Sequence, residues 1–235
     1  MGTVKRIVCL ANSKKMSGRC VAGREVTAAG AGQWIRPVSE RPSEEVSENE
    51  RQYEDGSDPG LLDVIDVPLI RHVPHACQTE NWLLDSTLYW RRVRRADWND
   101  VQDYVENPST LWINGHSTYH GEHDEIPLDE ADKLACSLFL IRVSSVDPHV
   151  FAPSEAFGNP KRRVQARFQH GGIRYSLWVT DPHIERDFLA RKDGNYSLGE
   201  CCLTISLGEP YRTKGAEFRY KLVAAIIQRG KGTGA

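Results

Sequence analysis

The sequence predicts a mainly β chain with a few helices, and three observations carry that expectation. Residues 137–227 alternate apolar and polar side chains in runs ordered β-β-β-α-β-β. That is the element order of an OB-fold, a small, partly open Greek-key barrel. Residues 4–38 hold three further β-rich runs parted by Gly-rich turns, which leaves room for a second, more decorated barrel. Residues 71–135, between them, gather Trp82, Trp90, Trp98 and Trp112 without sustained alternation, as a helical, loop-rich connector would.

The elements follow in order. VKRIVCL (4–10), GRCVAGREV (18–26) and QWIRPV (33–38) read as strands. SERPSEEVSENERQYEDGSDPG (39–60) reads as an exposed acidic loop with one short helical turn. LLDVIDVPLI (61–70) is a strand, with Pro68 arguing for an edge because proline cannot donate to a ladder. Asp97 and Asp100 mark a helix start, after which Trp98, Val101, Tyr104 and Val105 fall at helical spacing.

SLFLIRVSSV (137–146), VQARFQH (164–170) and IRYSLWVT (173–180) are strands, the last two joined by Gly171-Gly172. In DPHIERDFLARK, Asp181 is a natural N-cap and Pro182 suits the first helical position, while Ile184, Phe188 and Leu189 share a face. CCLTISL (201–207) and YKLVAAII (220–227) complete the set, with GEPYRTKGAEFRYK (208–221) as the loop between them. GKGTG (230–234) lacks the strand and helix of a phosphate cradle and reads as a flexible tail over 229–235.

Composition bounds the function. No run of about 18 apolar residues exists, so no membrane-spanning helix is expected. MGTVKRIVCL has too short an apolar core for a signal peptide, and Arg6 stands where a myristoylation pattern wants Ser or Thr. Six cysteines without framework spacing then read as reduced thiols of a cytoplasmic protein. Residues 1–150 carry 16 Lys+Arg against 24 Asp+Glu, net −8; residues 151–235 carry 14 against 8, net +6; together they give the −2 of the chain. A basic C-terminal half offers a local footprint for a polyanion, or else the two halves neutralise each other.

The hairpin in GNPKRRVQARFQHGGIRYSLWVTDP (158–182) is the most informative stretch. Pairing across Gly171-Gly172 sets Phe168 against Tyr175, Ala166 against Leu177 and Val164 against Val179 on one, apolar face. The other face sets Arg167 against Ser176, Gln165 against Trp178 and Arg163 against Thr180, with Gln169 and Arg174 beyond. A single-strand binding surface needs such a set: an indole on which bases stack, guanidinium groups for phosphates and an amide for hydrogen bonds. Arg163, Arg167 and Arg174 are the expected phosphate contacts, Trp178 the stacking platform and Gln165 the hydrogen-bonding group. Lys161, Arg162, Arg212, Lys214, Arg219 and Lys221 widen the basic track. The competing expectation is that this face packs against the rest of the chain and Trp178 is buried. The acidic 39–60 loop, taken with Asp63 and Asp66, is a candidate internal brake on the track.

NGHSTYHGEHDE (114–125) is the candidate for chemistry. His116, His120 and His123, beside Glu122, Asp124 and Glu125, are residue types that hold a divalent metal or move protons, but the spacing matches no metalloprotease or nuclease signature. His72, His75 and Cys77 in RHVPHAC are interrupted by Pro74, which prevents a shared helical face. No Walker loop, GxSxG or paired CxxC occurs. No cofactor is expected, and the balance points away from an enzyme.

The blocks KRIVCLANSKKMSGRCVAGREV…WIRPVS, LWINGHSTY and AFGNPKRRVQARF…YSLWVTDP…CLTISLGEPY…YKLVAAII resemble the bacterial dual OB-containing domain family over nearly the whole chain. The resemblance implies two OB-fold-like Greek-key β-barrels joined by a helical, loop-rich connector. The N-terminal part then spans 1–135, with the acidic insertion at about 39–60 and the Trp-rich connector at about 71–135, and the C-terminal barrel spans 136–228. It also implies nucleic-acid binding, as an accessory in DNA processing, stress response or defence. It carries over no catalytic residue. Nucleic acid, DNA or RNA and in single-stranded form, is thus the expected partner. The alternatives are a protein-interaction module whose barrel faces hold a partner subunit, and a metal-dependent enzyme using the 116–125 segment.

Overall fold

The computed structural model describes residues 2–213 and 215–230, and the chain separates into two compact units. One takes residues 2–105 with Ala135–Ser137 and Gly230; the other takes Glu106–Leu134 and Leu138–Arg229.

The first unit contains β1 (Thr3–Lys15), β2 (Gly18–Thr27), β3 (Gly30–Val38), β4 (Asp63–His72), β5 (Asn81–Leu84) and β6 (Arg91–Arg95). Helix α1 (Glu48–Arg51) lies between β3 and β4, and α2 (Trp98–Gln102) follows β6. The strands form a closed circuit. β1 pairs with β2, β2 with β3, β3 in parallel with β5, β5 with β4, and β4 back with β1. The two ends of β1 serve different neighbours, Thr3–Val8 facing β4 and Ile7–Lys15 facing β2. Gly23 makes the close approach there possible: a Cβ on it would stand 2.1 Å from the Val8 carbonyl oxygen. Ile7, Cys9, Val21, Ile35, Ile65, Val67, Leu69 and Leu84 fill the interior with Trp90. Each fully buried aliphatic of this kind contributes about 1.5–3 kcal/mol.

Pro68 does not lie on an edge. β4 is internal, with β1 on one side and β6 then β5 on the other. β6 pairs only as far as Asp66 and β5 begins at Leu69, so Pro68 sits in the gap where no ladder donor is required.

The second unit contains β7 (Glu125–Pro127), α3 (Leu128–Ala131), β8 (Leu138–Val143), β9 (Val146–Phe151), β10 (Arg163–His170), β11 (Ile173–Val179), α4 (Pro182–Leu189), β12 (Gly194–Asn195), β13 (Cys201–Thr213) and β14 (Ala216–Gln228). The same circuit recurs. β9 pairs with β10, β10 with β11, β11 in parallel with β14, β14 with β13, and β13 with β8. β8 and β9 are consecutive halves of one strand, so the ring closes through the chain itself. The β-β-β-α-β-β order is present, with its first strand broken after Val143. Gly171 and Gly172, at φ 59° and 76°, form the two-residue turn, and the pairing from Gln165↔Trp178 to Gln169↔Arg174 is the one that the alternation predicts. Asp181 caps α4, accepting from the His183 and Ile184 amides, and Asp97 caps α2 in the same way.

Two further expectations need correction. No helical connector spans 71–135: β5 completes the first circuit, β6 adds to β4 beside it, α2 is five residues long, and 106–134 packs with the second unit. Trp90 points into the first core and Trp112 stacks near Phe139 at 4.7 Å, so these aromatics are packing residues of the barrels. The 208–221 loop is instead a continuation of β13 and β14 as a long hairpin arm, with pairing from Pro210↔Arg219 to Thr213↔Ala216. The tail at 231–235 lies outside the described residues.

Candidate nucleic-acid interface

The outward face of β9, β10 and β11 is a grid fixed by register. Phe151 lies beside Arg163; His149 beside Gln165 and then Trp178; Asp147 beside Arg167 and then Ser176. The inward partners Val146, Val150, Val164, Ala166, Phe168, Tyr175 and Leu177 belong to the core, so alternation places the grid as the sequence predicts.

A strap from the same unit, residues 111–127 and ending in β7, covers part of it. Glu122 exchanges both backbone hydrogen bonds with Ser176, at 3.3 and 3.2 Å, and β7 pairs with β14 from Glu125↔Tyr220 to Pro127↔Phe218. The strap therefore fills the seam where β11 and β14 diverge after their short pairing at Trp178↔Leu222 and Val179↔Val223. Leu111 at 0% exposure anchors its start in the core.

The strap and its neighbours change the part that several predicted residues can play. Trp178 is 5% exposed. Phe151 stacks on its indole at 5.8 Å and the Arg163 guanidinium lies 4.1 Å from its ring centroid, so it is no platform for a base. Burial in turn lowers the pKa of Arg163. Gln165 is fully buried, its Nε2 donating to the His120 carbonyl at 2.6 Å. Arg219 is buried and binds Asp132 at 3.0 Å and the Gly208 carbonyl at 3.0 Å. Lys221 is buried too. Its Nζ donates to the Ile113 carbonyl at 2.7 Å and Asn114 Oδ1 at 2.8 Å, above the Tyr175 ring. Burial lowers its pKa to about 7, against an opposing pull from Asp124. These four side chains face structure, not solvent: the strap occupies the outward side over Gln165 and Lys221, Phe151 and Arg163 cover Trp178, and Asp132 with the Gly208 carbonyl holds Arg219.

The remaining cations stay at the surface. Arg167 donates to His149 Nδ1 at 2.5 Å and to Asn195 Oδ1 at 3.3 Å. Burial first, and Arg167 second, lower the pKa of His149, which keeps it a neutral acceptor. Arg174 is exposed and pairs with Glu122 at 3.1 Å. Lys161 and Arg212 are exposed, whereas Arg162 is folded onto the end of α4, donating to the Leu189 carbonyl at 3.0 Å and to Asp193. Lys214 lies outside the described residues.

The histidines of the strap do not converge. His120 donates from Nε2 to the Pro153 carbonyl at 2.8 Å, His123 accepts from the Gly115 amide at 3.1 Å, and His116 lies 6.1 Å from the Phe218 ring. Among the described residues no group of three His, Cys, Asp or Glu could hold a metal ion. The acids beside them serve the strap's own turn: buried Asp124 accepts from the Thr118 amide and hydroxyl at 2.8 and 2.6 Å, and Glu125 accepts from Tyr211.

Part of the candidate brake is likewise consumed locally. Glu50 binds Ser39 and the Ser47 amide, Asp58 binds Arg51, Asp63 binds Tyr53 and Arg95, and Asp66 binds Arg6 and Arg91. Glu50 and Asp58 thus fold the loop, and Asp63 of β4 fastens it through Tyr53, whereas Glu40 and Glu44 are not spent in this way.

Two residues at this face carry no signal in the sequence. Tyr119 is 95% exposed and Phe157 is 88% exposed. Tyr119 meets His120 edge-on at 4.8 Å, and His120 in turn binds Pro153 in the loop that bears Phe157. Both sit in Gly-broken polar stretches where no periodicity distinguishes an outward ring from an inward one.

The family model of the dual OB-containing domain matches residues 5–226, and the chain belongs to that family. Neither the curated proteins nor the solved structures include a match. No helix among the described residues is long and apolar enough to cross a membrane.

Proposed function

We propose that this member of the dual OB-containing domain family binds single-stranded nucleic acid on the strap side of its second barrel. The observation that supports it most is the pair of outward aromatic rings, Tyr119 and Phe157, flanking the His120–Pro153 contact beside the basic β10–β11 hairpin. Bases stack on the two rings, and Lys161, Arg167 and Arg174 meet phosphates, with Arg212 reaching from the hairpin arm. Trp178 and Arg163 serve beneath as a rigid floor. An accessory role in DNA processing, stress response or defence is consistent with such a surface.

Fluorescence anisotropy with labelled single-stranded and duplex oligonucleotides over a salt series tests this. Affinity falls with salt as phosphate contacts release counterions. Tyr119→Ala and Phe157→Ala each weaken single-strand binding by about 1–3 kcal/mol, the contribution of one stacked base. If both variants bind as the parent does, the surface is wrongly placed.

A second reading, a protein-interaction module, rests on the first barrel. There Leu88 and Tyr89 are 54% and 59% exposed just before β6, whose Val93 is 40% exposed. Binding of a partner protein that survives Tyr119→Ala but is lost in Tyr89→Ala would favour it.

A further inference from the structure

The first barrel holds a cleft distant in the chain from the strap and from the β10–β11 hairpin. Val38 on β3, Leu83 on β5 and Arg71 on β4 are successive register partners, and so form one row across three adjacent strands. Leu84 and Leu69, paired with each other beyond a register shift at Ile70, point into the core, which turns the row outward. The chain leaving β3 runs beside this row, and together they line an open cleft of about 570 Å³. That is within the range of sites that take a small organic ligand.

Its chemistry is amphoteric. Arg71 and Arg41 supply guanidinium groups, Glu40 and Glu44 carboxylates, and Val73 and Pro42 a small apolar edge above the buried Val38 and Leu83. Among the described residues, the side chains of Arg71, Glu40 and Glu44 have no hydrogen-bond or ion-pair partner. Arg41 is engaged only loosely, by Glu50 at 3.4 Å and Glu45 at 3.8 Å. The segment leaving β3 is nonetheless a built turn: Glu44 is held in the left-handed region at φ 57°, its amide donates to the Arg41 carbonyl, and its carbonyl accepts from the Ser39 amide.

A ligand that satisfies this set needs an anionic group for two guanidinium forks, hydroxyl or N–H donors for two carboxylates, and a flat apolar body. Alternating charges disfavour a bare polyanion, and the volume is several times what an inorganic anion fills. We propose that this cleft binds a ribonucleoside 5′-phosphate. The phosphate lies at Arg71 and Arg41, where bidentate hydrogen bonds suit guanidinium geometry. The base rests against Val73 and Pro42, and the ribose diol donates to Glu40 and Glu44, which as carboxylates can only accept. The nucleotide is either free or the 5′-phosphorylated end of an RNA strand.

Isothermal titration calorimetry on the full chain tests it with AMP, dAMP, adenosine and inorganic phosphate. AMP binds saturably, adenosine at least about tenfold more weakly for want of the charge-assisted bonds, and dAMP in between. Arg71→Ala erases the difference between AMP and adenosine, and Glu40→Gln with Glu44→Gln erases the difference between AMP and dAMP. Arg71 is exposed, so its variant keeps the parent's melting temperature. Competition of AMP by a 5′-phosphorylated but not a 5′-hydroxyl oligoribonucleotide identifies a strand end as the source; competition by neither identifies the free nucleotide. No saturable AMP binding, AMP binding unmoved by Arg71→Ala, or phosphate binding as well as AMP overturns the proposal. Tyr119→Ala leaves AMP binding intact, so the cleft and the second-barrel surface stand or fall separately.

Discussion

The two barrels run the same circuit and differ in what covers the seam between their third and fifth strands. In the first, β3 and β5 pair over three positions, and beside them Ser137 hydrogen-bonds both Arg36 and Glu80, an ion pair whose side chains are each 3% exposed. In the second, β11 and β14 pair over two positions, and a strap with its own strand pairing fills the gap. Position for position, Arg36 corresponds to Trp178 and Glu80 to Lys221, since Arg36 pairs with Asn81 and Trp178 with Leu222. One fold thus closes its weakest seam with a buried ion pair in one copy, and with backbone ladder bonds over a buried lysine in the other. The circuit alone does not set the chemistry of an outer face; the segment laid over the seam does.

The largest test of this contrast is in the first barrel. Arg36→Met leaves Glu80 buried without its counter-charge and costs about 3–5 kcal/mol in urea unfolding. Arg36→Met with Glu80→Leu, which removes both charges, recovers most of that loss, because neither is then stranded. A cost below about 1 kcal/mol for the single variant would mean that the pair is hydrated in solution and does not close the seam.

The second barrel responds to pH instead. Lys221 has a folded-state pKa of about 7 against an ordinary value of 10.5. Between those values the unfolded chain holds a proton that the folded chain lacks, so stability rises with pH across that window and is flat with respect to this group below it. The slope is at most about 1.4 kcal/mol per pH unit. Melting curves of parent and Lys221→Met should therefore diverge in shape, the variant losing the rise between about pH 7 and pH 10. Parallel profiles would show that the two carbonyl acceptors hold the ammonium charged, and that the seam is sealed by the strap's backbone alone.

The same contrast explains what the sequence makes legible. The hairpin register, both aspartate caps and the helical turn at α1 are local: Gly171-Gly172, Asp97, Asp181 and the Ser47–Glu50 pair each act on residues within a few positions. Strand alternation sorts Phe168 and Tyr175 inward from Arg167 and Trp178 outward. It cannot say that a strap 45 residues before Gln165 in the chain will roof the outward side, with Gln165 bound to His120. Lys221 and Arg219 mislead for the same reason. Their charges advertise solvent, but β14 places them under Asn114 and beside Asp132, partners about a hundred residues earlier. Tyr119 and Phe157 are invisible in the opposite sense, being apolar rings that only the finished fold turns outward.

The smallest expected effect separates surface chemistry from seam chemistry. Arg174 is 72% exposed and its bond to Glu122 lies at the solvent edge of the strap. Such a pair contributes about 0–1 kcal/mol, so Arg174→Ala should leave the unfolding midpoint almost unmoved. If Arg174 is a phosphate contact, the same change lowers the slope of log affinity against log salt by about one, and weakens binding equally for every sequence offered. Arg162→Ala is the matched control. Its guanidinium ends α4 and not the interface, so it should lower the melting temperature while leaving the salt slope intact. A loss of salt slope in Arg162→Ala with none in Arg174→Ala would move the binding track to the far end of the hairpin, away from the strap.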